Sequence, residues 1–483
     1  MTNRLFEQLD DAEQFFKKTF PSESCFDVGM KKIQLWNTPA LIVYVTGFID
    51  SAVLTQLLTN ITASPNESDT FSSLDDRLTK SLPFHSLQTY TTREEWLTAI
   101  LSGPLGIVLS TGQAYTIDVR NYPGRQPEEP DNEKVIRGSR DGFTENILQN
   151  ATLVRRRIRD PQLRLEKYQV SKRGKVDVAF CYLEDIANPE ILTFLRERIQ
   201  QVDHDGLTMT DKSLEELLFK QSYYPMPFAR YTERADTCAA HLLEGHIAII
   251  VDTSPSVLLV PTTLIHHLQH AEEYRQAPSV GTIVHFLRFT GFFMSFLLIP
   301  IWYLLTSNAE SLPDALSFIG PKESSKIPVF LQLILGDVGL EYLRLAAIHT
   351  PTPLSTAMGL VAAIIIGQIA IDVGLFQPEV ILYLAVSAIF TYSIPSYELS
   401  VVVKMIRVIL LLACVIFGAP GLFLLLTILY LHFVYLKPLN VPYLWPIVPF
   451  FPKALFRVIV RQPLAVNALR PYIVHAKNRS RSS

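Results

Sequence analysis

Four ionisable side chains stand inside otherwise apolar stretches of this 483-residue sequence: Asp337, Glu341, Arg344 and Asp372. A charge in hydrocarbon is costly, so such residues either line a wet path or pair with one another. Asp337 and Glu341 are four residues apart and Glu341 and Arg344 three apart, so one helical face carries all three. Gln368 precedes Asp372 by four and Ser387 precedes Thr391 by four, which makes two more polar stripes, with Tyr392 and Ser393 beside the second. Two chemistries fit these stripes. In one, they face a water-filled path, where an excess of acids over bases favours cations. In the other they hold helices together, with Glu341 paired to Arg344 and the hydroxyls bonded to backbone carbonyls. One copy of the chain encloses little volume, so a path forms more readily at an axis shared by several copies, where each acid becomes a ring.

Other chemistries lack their motifs. There is no P-loop, GxGxxG or GxSxG, so neither a nucleotide site nor a hydrolase is expected, and no enzyme, cofactor or resident metal is assigned. His266 and His270 have the spacing of a two-histidine zinc site, but no nearby Glu or Cys completes it, and the expectation is a polar face on one helix close to the membrane. Arg155-Arg156-Arg157 with Arg159 is a basic run in an acidic region, with Asp141, Glu145 and Asp160 close by. It reads as a helix end or a contact between copies rather than a nucleic-acid surface. The four cysteines include no CxxC pair and read as reduced packing residues.

The elements that must position these groups follow from composition. Hydrophobic residues make up 48% and charged residues 18%, with mean hydropathy +0.22, below the roughly 25% charge of a soluble domain and pointing to the membrane. Residues 1–285 hold 29 basic and 38 acidic residues, 286–436 hold 6 and 8, and 437–483 hold 8 and none. A spanning helix needs about 20 apolar residues. Phe286–Thr306, Pro353–Phe376, Glu379–Ser396 and Val408–Leu436 meet or approach that length, the last broken by Gly418-Ala419-Pro420-Gly421. Ile327–Ile348 is a fifth apolar segment that carries the three charges. The basic end, 437–483, is expected in the cytoplasm. The N-terminal half shows no export signal and is expected there too, so the number of crossings is even. Four spans with the fifth segment re-entrant or interfacial is the preferred count, and six follows if Gly418–Gly421 is a turn. The Gly418–Gly421 break also fits the broken helices of a transporter.

The N-terminal half reads as two small α/β subdomains, 1–127 and 128–275, joined at the Gln126–Asp131 linker and followed by a helical membrane domain, 276–436. Ala40–Ile49, Leu105–Ser110, Ala114–Arg120, Ile247–Val251 and Val257–Val260 read as strands. Leu163–Ser171 with Lys175–Leu183 reads as a hairpin. Residues 1–18, Arg93–Ser102, Gly142–Ile158, Pro189–Gln201, Leu214–Lys220 and Thr232–Leu243 read as helices. No internal repeat is visible.

The run Val135-Ile136-Arg137-Gly138-Ser139-Arg140-Asp141-Gly142-Phe143-Thr144-Glu145-Asn146, followed by Asn150 and Arg155-Arg156-Arg157-Ile158, resembles the signature of the GerA spore germination family. Tyr231-Thr232-Glu233-Arg234, Glu244-Gly245, Val251-Asp252, Pro261-Thr262-Thr263, Gly336-Asp337 with Glu341 and Arg344, and Val441-Pro442-Tyr443 extend the resemblance over about residues 30–475. Gly138-Ser139-Arg140 stands where receptor A subunits of that family more often carry Gly-Pro-Arg. Together with the tail from Pro449 to Arg457, it is similar to a sporulation branch of the family. The resemblance implies a multi-pass protein of the spore inner membrane, with both termini cytoplasmic. It implies a pentamer of this chain that passes monovalent cations early in germination, partnered by a small accessory membrane protein. The alternatives are an A subunit of a nutrient receptor that works with B and C subunits, or a non-conducting scaffold. On the same resemblance, Arg140, Glu145, Arg155, Arg156 and Arg157 suit charged contacts between copies in a cytoplasmic ring.

Overall fold

The computed structural model describes residues 4–35, 38–49, 51–62, 87–119, 133–221, 223–307, 319–320, 325–349 and 367–463, then 469–471, 474, 476–478 and 480. The chain forms two compact units: Met1–Ser222, Phe228–Pro261 and Leu464–Ser483 make the first, and Tyr223–Pro227 with Thr262–Pro463 the second.

The first unit holds two antiparallel sheets. After helix α1 (Leu9–Thr19), strands β1 (Val28–Leu35), β2 (Thr38–Val45), β3 (Leu87–Thr89), β4 (Leu105–Leu109) and β5 (Ala114–Ile117) order as β1-β2-β4-β5-β3. Helix α2 (Ser51–Thr62) follows β2, and α3 (Arg93–Leu101) follows β3. The period-2 alternation of β2 sends Leu41, Val43 and Val45 to one face, where they meet Trp96, Phe16 and Phe48. Ala40 and Ile42 go to the other, with Leu57, Ile107 and Ile117.

The second sheet repeats the plan. After helix α4 (Ile147–Arg157), strands β6 (Leu163–Val170), β7 (Val176–Leu183), β8 (Arg230–Thr232), β9 (Ile247–Val251) and β10 (Val257–Val260) order as β6-β7-β9-β10-β8. Helices α5 (Pro189–Gln200) and α6 (Thr210–Phe219) follow β7, and α7 (Ala235–Glu244) follows β8. Strand for strand this is the order of the first sheet, so the unit contains a structural repeat that the sequence does not display. Packing alone has to be preserved for such a repeat: alternating apolar residues are enough, whatever their identity. The sequence pattern predicts no strand at β1, β3 or β8. β1 reads Val-Gly-Met-Lys-Lys-Ile-Gln-Leu, too polar to register as a buried strand, and β3 and β8 have three residues each.

The second unit is helical. Short helices α8 (Leu264–Leu268) and α9 (Ala271–Arg275) lead into α10 (Pro278–Ser307), α11 (Val329–His349), α12 (Pro378–Tyr392), α13 (Tyr397–Tyr435) and α14 (Pro452–Ile459). α10 and α13 are long and apolar enough to cross a membrane, whereas α12 is shorter. Most of the expected span Pro353–Phe376 lies outside the described residues. Side-chain contacts give the helix directions. Trp302 stacks on Tyr383, and Ser387 Oγ donates to Ser295 O at 3.2 Å, so α12 runs antiparallel to α10. α11 meets the first half of α13 in reverse order, Asp337 with Arg407, Glu341 with Lys404 and Arg344 with Tyr397.

α13 is not one rod. Gly418 has φ 63° and ψ −149°, a conformation for glycine alone. A Cβ on Gly421 would collide with the carbonyl of Ala413, eight residues back. The chain therefore reverses at Gly418–Gly421. Its second half ends at Leu436, whose carbonyl accepts from Tyr443 N at 3.0 Å, while Tyr443 O accepts from Leu264 N at 2.9 Å. That returns the chain to the end at which α10 begins.

Candidate functional site

Three of the residues expected to carry function in the helical unit converge on a fourth that the expectation left out of the site. Arg407 of α13 is 3% exposed. Its Nε donates to Asp337 Oδ2 at 3.2 Å and its Nη2 to Asp337 Oδ1. Its Nη1 donates to Ser387 Oγ at 2.6 Å, Ser295 O at 3.1 Å and Thr391 Oγ1 at 3.4 Å. Thr391 Oγ1 also donates to Ser387 O at 2.8 Å. One guanidinium thus joins α10, α11, α12 and α13, and each group it bonds among the described residues accepts, as an always-charged, five-donor group requires.

Glu341 lies one turn further along α11. It pairs with Arg344 and, at 2.5 Å, with Lys404 Nζ, and Arg344 also lies over the Tyr397 ring. The two acids of α11 therefore face cations on α13 as well as the local Arg344. The sequence signal for this was the basic pair Lys404 and Arg407, spaced three apart like Glu341 and Arg344, inside an apolar stretch.

Gln368 and Asp372 sit apart from this cluster. Residues 367–372 are helical and both side chains are exposed. Gln368 Nε2 donates to Asp372 Oδ1 at 3.3 Å, and among the described residues the Asp372 carboxylate meets no cation. By Gln377 the chain is back where α11 starts, Gln377 N donating to Gln332 Oε1 at 2.9 Å.

In the first unit, the stretch from Glu133 to Ile158 builds a scaffold. The predicted helix from Gly142 begins only at Ile147, because Asn146 caps it, its Oδ1 accepting from Leu148 N at 2.9 Å and Gln149 N at 3.1 Å. Asn150 is fully buried and closes a loop with Thr144 through bonds of 2.7 and 2.6 Å. Asp252 Oδ1 accepts from Ile147 N at 3.1 Å. Arg157 pairs with Asp141 at 2.6 Å, and Arg234 reaches Ser139 O at 2.8 Å.

Arg155 corrects the expectation of a contact between copies. It is fully buried, its Nε 2.8 Å from Asp27 Oδ2, and it also donates to Asp160 O and Leu163 O, both at 3.1 Å. It ties the end of α4 to the start of β1 within one copy. Burial alone would lower its pKa, but the Asp27 carboxylate more than compensates and raises it. Arg157 is half-buried, whereas Arg140, Glu145 and Arg156 are exposed together with Ile136 and Arg137.

His266 and His270 do not share a helix. His266 closes a capping box with Thr263 at the start of α8, and His270 caps α9, accepting from Glu272 N at 3.2 Å. No cluster of three metal-ligating residues occurs among the described residues. All four cysteines are buried thiols.

The family model described as Bacillus/Clostridium GerA spore germination protein matches residues 14–473. The chain belongs to the GerA family. Stage V sporulation protein AF of Bacillus subtilis is 47% identical over 479 residues, covering 99% of this chain and 97% of that protein. GerLA, a spore germination protein of Bacillus cereus, is 32% identical over 392 residues, covering 80% of each. A crystal structure of the N-terminal domain of the A subunit of the Bacillus megaterium germinant receptor GerK3 covers 54% of this chain and 97% of its own. Its TM-score is 0.41 and its identity 24%. The GerA match spans both units, so the buried Arg155 and Arg407 networks both lie within the family's matched region.

Proposed function

We propose that this GerA-family chain is a multi-pass membrane protein of spore germination, and that several copies, five by resemblance, surround an axis that passes monovalent cations. One observation carries the reading. Asp337 and Glu341 are matched by Arg407, Lys404 and Arg344, whereas Asp372 is exposed on an apolar segment and faces no cation among the described residues. A carboxylate left facing acyl chains is costly and is expected to turn toward water instead. It is stable when neighbouring copies enclose it in water, where it becomes a ring of acids that attracts cations. The described legs are α10, α11, α12 and the two halves of α13, and the expected span Pro353–Phe376, most of it outside the described residues, would be the sixth. This gives an even number of crossings with both ends of the helical unit on one side, the cytoplasmic side by the basic charge of residues 437–483.

Exposed Arg140, Glu145 and Arg156 suit contacts between copies, and a small accessory membrane protein is the partner that the family resemblance suggests. The 47% identity to stage V sporulation protein AF supports the sporulation branch of the family, for which the resemblance suggests an accessory channel, over an A subunit of a nutrient receptor working with B and C subunits. Potassium efflux from vesicles holding the purified chain tests this. The wild-type chain releases the ion, and Asp372→Asn reduces release at unchanged assembly. Stable assemblies that release no cation under any condition would leave the non-conducting scaffold as the function.

A further inference from the structure

The C-terminal part of the helical unit has a charged, amphipathic face that the reading above does not use. Sixteen residues separate the end of α13 from α14 (Pro452–Ile459). At 100° per residue, Lys453 and Arg457 fall on one side, while Pro452, Leu455, Phe456 and Ile459 fall on the other. Phe456 is 57% exposed, and Phe450, just before the helix, 67%. No residue after Leu436 is acidic. An eight-residue helix that leaves its aromatic side uncovered needs an apolar medium beside it, and its basic side needs anions.

The position of α14 says which medium that is. Arg461, just past the helix, donates to the backbone carbonyls of Gln276 and Tyr274, and its N–H donates to Thr282 Oγ1 at 3.1 Å. These bonds hold the end of α14 against the first turns of α10, where Ile283, Phe286 and Leu287 are each more than 60% exposed. α10 is a helix of spanning length, so α14 sits at the level where that span enters the bilayer.

We propose that α14 lies in the membrane interface and binds anionic lipid headgroups, with Phe450, Phe456 and Ile459 among the upper acyl chains and Lys453 and Arg457 on the phosphates. This rests on the membrane placement proposed above. Headgroup charge at this point would be read directly by the end of the unit that holds the start of α10, so the lipid composition tunes how firmly that end is anchored.

The test uses the full chain with Phe456→Trp, reconstituted in phosphatidylcholine vesicles containing phosphatidylglycerol, with either lipid brominated on its acyl chains. The added indole is read as the difference from the wild-type chain. Quenching is expected from both lipids, and more strongly from brominated phosphatidylglycerol. Adding Lys453→Gln and Arg457→Gln lowers the preference for phosphatidylglycerol about thirtyfold, at about one basic side chain's worth of surface attraction each. High salt lowers it in the Phe456→Trp chain. A carbonate-resistant protein whose indole is shielded from both lipids overturns the proposal, because a second copy or another protein then covers the face. Equal quenching by both lipids, unchanged by the two glutamines, overturns it as well. A chain extracted by carbonate overturns both this inference and the membrane reading.

Discussion

Replacing Asp337 with asparagine removes the carboxylate that pairs with Arg407 without changing side-chain volume. The guanidinium, 4% exposed in its side chain, keeps three neutral acceptors: Ser295 O at 3.1 Å, Ser387 Oγ at 2.6 Å and Thr391 Oγ1 at 3.4 Å. Breaking a buried ion pair by removing one partner costs about 3–5 kcal/mol. The remaining acceptors place this case near the low end, about 3 kcal/mol, which corresponds to a fall in Tm on the order of 10 °C. Removing both charges, Asp337→Leu with Arg407→Leu, leaves no orphan, because Thr391 Oγ1 already donates to Ser387 O and Ser387 Oγ to Ser295 O. The double variant is therefore expected within about 1–2 kcal/mol of wild type. Thermal unfolding of the detergent-solubilised full chain, run as a double-mutant cycle, measures both. An Asp337→Asn chain as stable as wild type, or a double variant as weak as the single one, would refute the clamp.

Three further outcomes follow from the same reasoning. Gly418→Ala forces a side chain into φ 63°, ψ −149°, costs about 1–3 kcal/mol, and should lower the yield of correctly assembled protein in detergent by gel filtration. Arg155→Met leaves the fully buried Asp27 unpaired and should cost about 3–5 kcal/mol, read as earlier cleavage of the first unit in limited proteolysis of the full chain. His246 is fully buried, and burial foremost, with the Arg230 charge adding to it and the Pro261 carbonyl opposing, pushes its pKa from 6.5 down to about 4. Its stabilising effect is whole above about pH 6.5 and is lost as pH falls toward about 4, in total about 3 kcal/mol. His246→Gln should flatten that part of the pH–stability curve, and an unchanged slope would contradict the assignment.

Much of the architecture was legible because its signals are local. The hairpin of β6 and β7, the proline-started α5 and the long apolar α10 follow from alternation, capping and length. Gly418-Ala419-Pro420-Gly421 showed where α13 must break, but whether glycine and proline bend a helix or reverse it depends on what the second half packs against. The start of α4 was missed by five residues because an asparagine cap looks like any polar residue until its side chain is seen on Leu148 N. The site was half legible. Desolvation cost singled out Asp337, Glu341, Ser387 and Thr391, but spacing along one chain cannot show that Arg407, 70 residues after Asp337, joins three of them and that Lys404 meets Glu341. Arg155 shows the reverse error. A run of three arginines looks like a charged surface, yet the helix turns the first of them inward onto Asp27.

Particle imaging of the full chain in detergent or nanodiscs tests the central claim most directly, because it gives the copy number and the surroundings of Asp372 together. The expected image has several copies around one axis, with an Asp372 carboxylate from each facing a hydrated centre. A single copy, or a closed assembly in which Asp372 is paired with a cation inside its own copy and the axis is filled by apolar side chains, would contradict conduction through this protein.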